Sequence, residues 1–89
     1  MTENVVEIHD EEGGYIDLLG KHVVVICDTY IYDGDLTGVN SVCIELTNPK
    51  IVYDTGKWSA SNYALVENLP AKNNKSIISI RKIETIFEK

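Results

Sequence analysis

The sequence has no cation before Lys21 and few cations after it. Residues 1–20 contain six acidic residues and no lysine or arginine. The whole chain has 14 acidic and 8 basic residues, which gives a formal net charge of −6. Because an acidic protein repels phosphate at long range, this balance argues against tight non-specific binding to duplex DNA. It leaves room for a local basic patch.

The sequence also lacks an apolar run of the roughly 20 residues that a helix needs to cross a bilayer. Its N-terminus has no cationic stretch followed by an apolar stretch, which is the pattern of a secretory signal. We therefore expect a soluble, cytoplasmic protein with no membrane partner.

Signals for metal binding are sparse. Cys27 and Cys43 lack C-x-x-C spacing, and His9 and His22 are the only histidines. A zinc site needs a closer set of such ligands, so the sequence does not favour one. We expect two free, buried or half-buried thiols, no metal and no cofactor.

Catalytic motifs are missing as well. The chain has no serine in a nucleophile elbow, no G-x-G-x-x-G and no phosphate-loop lysine. Asp28, Asp33 and Asp35 cluster in the sequence, but no histidine or glutamate-rich partner set lies near them. We interpret them as turn residues and outer-face residues, and we expect that the protein is not an enzyme.

The residues that are present suffice for one small domain over residues 1–89. Hydrophobic residues make up 44% of the chain and charged residues 25%, which is ordinary for a globular protein. At this length, folding buries only about 60–65% of the surface of the unfolded chain, so the core is marginal unless a neighbour helps. We expect an acidic, frayed tail over residues 1–13.

The first half of the chain predicts a short helix followed by a strand. In "GGYIDLLGK", Tyr15, Leu18 and Leu19 form one apolar stripe of a short helix that Gly20 ends. "HVVVICD" is hydrophobic on both faces, which is typical of a strand that is buried on one side and contacted on the other.

Asp33-Gly34, in the segment that follows, allows two interpretations. As a hairpin turn, it would pair the preceding strand with the following one. As a bend, it would lie within one curved strand over residues 30–39, with the turn at Asp28-Thr29. We favour the bend.

The second half predicts further strands separated by an insert over residues 54–74. In "SVCIELTNP" the apolar residues alternate, which predicts a strand buried on one side, and "KIVYDTGK" could extend it after an irregularity. Within the insert, "SASNYALVENLP" predicts a short surface helix, capped by Ser59 or Ser61 and stopped by Pro70. "KSIISIRKIETIFEK" predicts two strands around Arg81-Lys82.

These elements amount to a mainly β fold with a short N-terminal helix, about five strongly bent strands and a helical insert before the last two strands, which suggests a small barrel. In such a barrel, Trp58 and Tyr63 of the insert would either cap one end or form a platform for a partner or a nucleobase.

The order of the motifs carries a family resemblance. "LLGKHVVVICDTYIYDGDLTGVNSVCIELTN" resembles the first motif of Sm-like (LSm) proteins, and "IISIRKIETIFE" is similar to their second motif. Together they cover residues 14–49 and 75–88. With its "YDTG" segment and long insert, the chain looks most like small phage-encoded members, which would place it in the host cytoplasm. The resemblance implies a five-stranded antiparallel Sm-like (SH3-type) open barrel.

The resemblance also implies assembly. An Sm-like barrel leaves its last two strands as open edges, and pairing of these edges closes a homo-oligomeric ring of about five to seven copies. Here residues 75–80 and 83–87 would supply the contact. The candidate interface residues are Ser76, Ile78, Ile80, Ile83, Thr85 and Phe87.

RNA-binding members contact single-stranded RNA at two corners of the ring pore. By resemblance, the candidate RNA-binding residues here are Asn40, Ser41, Arg81 and Lys82. The chain departs from the family pattern at Cys43, which stands where the family has asparagine, and at Lys82, which replaces a glycine. Two interpretations of Arg81-Lys82 stay open: a pore contact, or a solvated turn in which Arg81 pairs with Glu84 or Asp35.

Two functions follow from these interpretations. The first is a ring that binds single-stranded RNA or chaperones its processing through the pore patch. The alternative is a non-catalytic scaffold that keeps the ring, has lost RNA binding, and binds a protein or a small nucleotide.

Overall fold

The computed structural model describes residues 14–89, which form six strands and short 3-10 helices. The strands are β1 His22–Cys27, β2 Ile31–Val39, β3 Cys43–Asp54, β4 Leu65–Asn68, β5 Lys75–Ser79 and β6 Ile83–Glu88. The 3-10 helices are Gly14–Leu18, Lys72–Asn74 and Ile80–Lys82. The fold is therefore mainly β, as the sequence predicts, while the expected acidic tail over residues 1–13 lies outside the described residues.

All six strands belong to one open antiparallel sheet with the order β4-β3-β2-β1-β6, and β5 also pairs with β3. Like β4, β5 pairs with β3 on the side away from β2. β5 and β6 therefore lie at opposite ends of the strand order, yet only the three-residue helix Ile80–Lys82 joins them. Such a short connection requires the sheet to curl strongly, so that its two ends approach each other.

β3 supports two partners along one edge. Residues 43–47 pair with β5, and residues 50–54 pair with β4. Asn48 has a φ of 54° between these halves, a left-handed conformation that Asn tolerates better than most residues. The extension of this strand beyond an irregularity is thus confirmed.

β2 runs without a break through Asp33 and Gly34, so the bend interpretation is confirmed. Its pairing with β3 shifts register between Asp33 and Asp35. A Cβ atom at Gly34 would lie 3.1 Å from the carbonyl oxygen of Thr47 and 3.3 Å from Cβ of Leu46. Glycine is favoured here because β3 passes so close that a Cβ atom would fit only if β3 moved by a few tenths of an ångström.

The core lies on one face of the curled sheet. It consists of the buried side chains of Val23, Val25, Leu36, Ile44, Leu46 and Ile78. Val24 points to the opposite face because successive strand residues alternate, and it too has no exposed surface. The sheet is therefore covered on both faces at β1, as the hydrophobic "HVVVICD" segment predicts.

The insert covers part of this second face. Val24 pairs across the sheet with Asp33 on β2 and Phe87 on β6. The ring of Trp58, from the insert, packs edge-on against Phe87 at a centroid distance of 5.7 Å.

The prediction of a surface helix in the insert is wrong. Residues 65–68 form the strand β4 instead, in which Val66 pairs with Val52 of β3. A surface helix of two turns has little intrinsic stability, whereas the second half of β3 offers an open edge with unpaired backbone groups. The sheet therefore has six strands rather than five.

The N-terminal helix is shorter than the pattern suggests. It is a single 3-10 segment, Gly14–Leu18, and Gly20 follows with a φ of +85°, as expected for a glycine that ends a helix. Across residues 14–89, no helix has both the length and the apolar character required to cross a membrane.

Candidate functional site

The structure brings together the two loops that carry the predicted RNA-binding residues. The backbone N–H of Ile80 donates a hydrogen bond of 2.9 Å to the carbonyl oxygen of Val42. Cys43 and Ser79, the adjoining ends of β3 and β5, are cross-strand partners. We refer to Asn40, Ser41, Arg81 and Lys82, which are all exposed, as the corner patch.

Asn40 shapes the first loop of the corner patch. Its side-chain oxygen accepts hydrogen bonds from the backbone N–H groups of Val42 and Cys43, at 2.8 and 2.9 Å. Its own backbone N–H donates to the carbonyl oxygen of Cys43 at 3.0 Å. The side-chain oxygen is thus engaged within the loop, and the side-chain NH₂ group remains as a donor.

Arg81 and Lys82 supply the charge of the corner patch. The ion pairs within residues 14–89 join His22 to Asp33 and Asp35, and Lys75 to Glu45. Arg81 is in none of these pairs, so its predicted ion pair with Glu84 or Asp35 is not formed, while a pore contact and a solvated turn both stay open.

A groove of about 330 Å³ lies beside Lys82, between β5 and the turn from β1 to β2. Tyr32 and Ile78 give it an apolar lining, and Cys27 contributes a half-buried thiol. Burial, reinforced by the nearby acidic groups Asp28 and Glu84, raises the pKa of Cys27. The thiol therefore stays protonated and weakly nucleophilic at neutral pH.

The candidate interface residues divide between the core and the surface. Ile78 is 8% exposed and belongs to the core, and Ile80 and Ile83 pack against the core. At Ile78 a neighbouring subunit can therefore reach little besides backbone groups, whereas Ile80 and Ile83 are only partly buried. The side chain of Ile77, by contrast, is 61% exposed.

The exposure of Ile77 was not predicted, although the alternation of residues in this strand indicates it. In "SIISI", a buried Ile78 requires that Ile77 faces the other way. Within residues 14–89, β5 pairs only with β3 and β6 only with β1. Each of these strands thus has one edge that no other described strand occupies.

A second polar cluster, which sequence analysis did not find, lies between the sheet and the insert. Asp33 is only 2% exposed, so its interpretation as a turn or outer-face residue is wrong. One of its carboxylate oxygens lies 2.7 Å from Nε2 of His22, and the other accepts a hydrogen bond from the hydroxyl of Tyr63. Nδ1 of His22 lies 3.1 Å from a carboxylate oxygen of Asp35.

We call His22, Asp33, Asp35 and Tyr63 the Asp33 network. Because carboxylates only accept hydrogen bonds, His22 takes part in this network as a donor through a ring N–H. Burial, and then the hydrogen bond to Asp33, raises the pKa of Tyr63. Local sequence patterns could not predict this network, because Tyr63 is 30 residues from Asp33 in the chain.

Three members of the Asp33 network, His22, Asp33 and Tyr63, form the floor of a cavity of about 480 Å³, which we call the insert cavity. Its remaining lining consists of Lys50, Ser61, Asn62, Val66 and Lys89. Nζ of Lys89 lies 4.0 Å from the centroid of the Tyr63 ring, a distance at which a cation is attracted to the ring face.

Metal-binding geometry is not found among the described residues: in 14–89, no three His, Cys, Asp or Glu side chains are grouped so that they could hold a metal ion. Models of protein families, curated proteins and solved structures contain no match to this chain. The corner patch and the insert cavity are therefore interpreted from their own geometry and charge.

Proposed function

We propose that the chain is a subunit of an Sm-like ring that binds single-stranded RNA through the corner patch. The observation that carries the proposal is the hydrogen bond between Ile80 and Val42. It supports the proposal because it joins the two loops that the Sm-like resemblance assigns to the pore, although about forty residues of sequence separate them.

The strand order supports the fold part of this proposal. A short 3-10 segment precedes five strands in the order β5-β3-β2-β1-β6, and another 3-10 helix joins β5 to β6. This is the arrangement expected of an Sm-like open barrel, with β4 of the insert as an added strand.

The unoccupied edges of β5 and β6 support the assembly part. They lie at the two ends of the curled sheet, so an edge of one copy can pair with the opposite edge of the next. Repetition of that contact around an axis would close a ring and bring one Arg81 and one Lys82 per subunit to the pore.

The charge of the corner patch supports the RNA part. Two exposed cations, neither in an ion pair with residues 14–89, attract phosphate locally even though the chain is acidic overall. Multiplication around a ring would raise the effective affinity without any further contact.

The test is fluorescence anisotropy with labelled oligo-U, oligo-A and a mixed RNA at low salt, on protein shown by light scattering to be assembled. We expect binding by the wild-type ring. The double variant Arg81→Gln/Lys82→Gln should bind about tenfold more weakly or worse, because each subunit loses two charge-assisted contacts.

The matched control is Lys57→Gln/Lys72→Gln, which removes the same charge from two exposed lysines outside the corner patch. It should bind RNA like the wild type. Absence of binding by the assembled wild-type ring, or equal loss in both double variants, would contradict the proposed function.

A second candidate function is a protein-binding scaffold that keeps the ring. Val42 is 65% exposed and Ile77 is 61% exposed, and both lie in segments that adjoin the corner patch. The side-chain oxygen of Asn40 is already engaged by its own loop. An assembled ring that binds none of the three RNAs would favour this alternative.

A further inference from the structure

We propose that the insert cavity binds the phosphate group of a small ligand, such as a nucleoside monophosphate. This site is distinct from the corner patch, and its ligand does not depend on the proposed RNA-binding function. The proposal rests on the shape, the floor and the charged walls of the cavity.

The cavity has the size of a small-molecule site. Its volume of about 480 Å³ lies within the range of about 300–1,000 Å³ that is typical of such pockets. It lies between the insert and the face of the sheet that carries Asp33, and it contains both polar side chains and the apolar side chain of Val66.

The floor of the cavity is preorganised. Both carboxylate oxygens of Asp33 have donors, His22 and Tyr63, so this buried charge is compensated before any ligand arrives. A second carboxylate, that of Asp35, lies 3.1 Å from Nδ1 of His22. It is not part of the cavity lining. The Asp33 carboxylate is therefore a fixed part of the floor rather than an open site for a cation.

The walls carry the charge that an anion requires. Lys50 is the cross-strand partner of Asp33, and Lys89 is held over the ring of Tyr63. Neither lysine is in the ion pairs found within residues 14–89. The lining thus presents two lysines and one carboxylate, and that carboxylate already has its own hydrogen-bond donors.

Neutral donors complete the site. Ser61 and Asn62 line the cavity beside the two lysines, and a hydroxyl and a side-chain amide can both donate hydrogen bonds to phosphate oxygens. Lysine ammonium groups bind phosphate as point charges and tolerate several orientations of it. This combination suits a compact, multiply charged phosphate better than a single carboxylate.

The experiment is an NMR titration of ¹⁵N-labelled protein with inorganic phosphate, uridine monophosphate and uridine. We expect saturable shifts of the Ser61, Asn62 and Tyr63 amides with the two phosphate-bearing probes and none with uridine. If the monophosphate binds more tightly than inorganic phosphate, the natural ligand carries an organic group; equal affinity would identify free phosphate as sufficient.

Lys50→Gln and Lys89→Gln should each weaken phosphate binding by about tenfold, since each removes one charged contact. Lys72→Gln, in an exposed 3-10 helix, and the corner variant Arg81→Gln/Lys82→Gln should bind phosphate like the wild type. Lys50→Arg keeps the charge and should retain binding, which separates loss of a contact from loss of the fold.

Three results would overturn the proposal: no saturable shift with either phosphate probe, unchanged affinity in both Lys50→Gln and Lys89→Gln, or binding of uridine as tight as that of its monophosphate. The corner variant Arg81→Gln/Lys82→Gln changes only the corner patch, so it should lose RNA binding and keep phosphate binding. The RNA and phosphate measurements on this variant therefore show which of the two proposals has failed.

Discussion

At the residue scale, Asp33 is unusual because it is a charged side chain that is almost fully buried. A buried carboxylate is costly unless its oxygens are hydrogen-bonded, and the two oxygens of Asp33 lie on His22 and Tyr63. Tyr63 belongs to the insert and His22 to β1, so one side chain ties the insert to the sheet.

Removal of the Tyr63 hydroxyl should therefore destabilise the protein. We expect Tyr63→Phe to lower the free energy of unfolding by about 1–3 kcal/mol, because one oxygen of the buried Asp33 loses its donor. Urea denaturation measures the change. Tyr53→Phe is the matched control: its hydroxyl donates to Glu67 at 3.2 Å on the exposed surface, and its loss should cost about 0.5 kcal/mol or less. Equal effects of the two variants would contradict this role for Asp33.

The stability of Tyr63→Phe should also depend on alkaline pH differently from the stability of the wild type. The pKa of Tyr63 is raised by burial and by its bond to Asp33, so the folded state holds this proton where the unfolded chain, with a tyrosine pKa of about 10, has lost it. Stability then falls as the pH rises above about 10, because the folded state binds more protons there. The stability difference between wild type and Tyr63→Phe should thus narrow over this range in urea titrations, whereas a constant difference would be inconsistent with the raised pKa.

At the scale of elements, the bend in β2 brings β3 unusually close. A Cβ atom at Gly34 would make tight contacts with the backbone of Thr47 and with Leu46, at 3.1 and 3.3 Å. A methyl group at this position requires β3 to move by a few tenths of an ångström, and β3 also pairs with β4 and β5.

We expect Gly34→Ala to lower the free energy of unfolding by about 1–3 kcal/mol, the usual cost of overpacking. Ser59→Ala, at an exposed position of the insert, should change it by about 0.5 kcal/mol or less. Thermal or urea unfolding of the two variants provides the measurement. A neutral Gly34→Ala would mean that β3 shifts freely and that the bend does not fix the distance between the strands.

Strand positions could be predicted from the sequence wherever a strand's own residues determine its environment. The run Val23-Val24-Val25 indicates a strand covered on both faces, and the alternation of Ile44 and Leu46 gives the buried face of β3. The insert could not be predicted in this way. The spacing of Tyr63, Val66 and Leu69 fits a helix, but the open half of β3 makes a strand more favourable, and that edge exists only once the sheet has formed.

The same limit applies to the candidate sites. The proximity of Asn40 and Arg81 follows only from the order of the strands, which local periodicity does not give. The burial of Asp33 depends on its register opposite Val24 and on an insert residue 30 positions away. Pattern alone assigns such an aspartate to the surface because most aspartates are exposed.

At the scale of the whole molecule, residues 14–89 leave β5 and β6 with unoccupied edges and a small core between them. If these edges assemble the ring, a charge on β5 should prevent assembly, since charged side chains block edge pairing. Ile77 is the position to change, because its side chain is 61% exposed and its loss costs the single subunit little.

We expect Ile77→Lys to shift the protein from an oligomer to a monomer in light scattering while its circular dichroism stays unchanged. Leu65→Lys is the control: Leu65 is 55% exposed but belongs to β4, which the proposed ring does not use. A wild-type protein that is monomeric at micromolar concentration would contradict the assembly, and so would an Ile77→Lys variant that remains oligomeric.

The shared edge of β3 has a consequence for quality control in the cell. Without β4, the second half of β3 would present bare backbone groups, and exposed edges of this kind template aggregation. By pairing with residues 50–54 of β3, the insert strand covers this edge. The outer edge of β4 is only four residues long, and very short edge strands limit pairing with other chains. A mutation that loosens β4 would thus endanger the protein by offering its copies a wrong place to join.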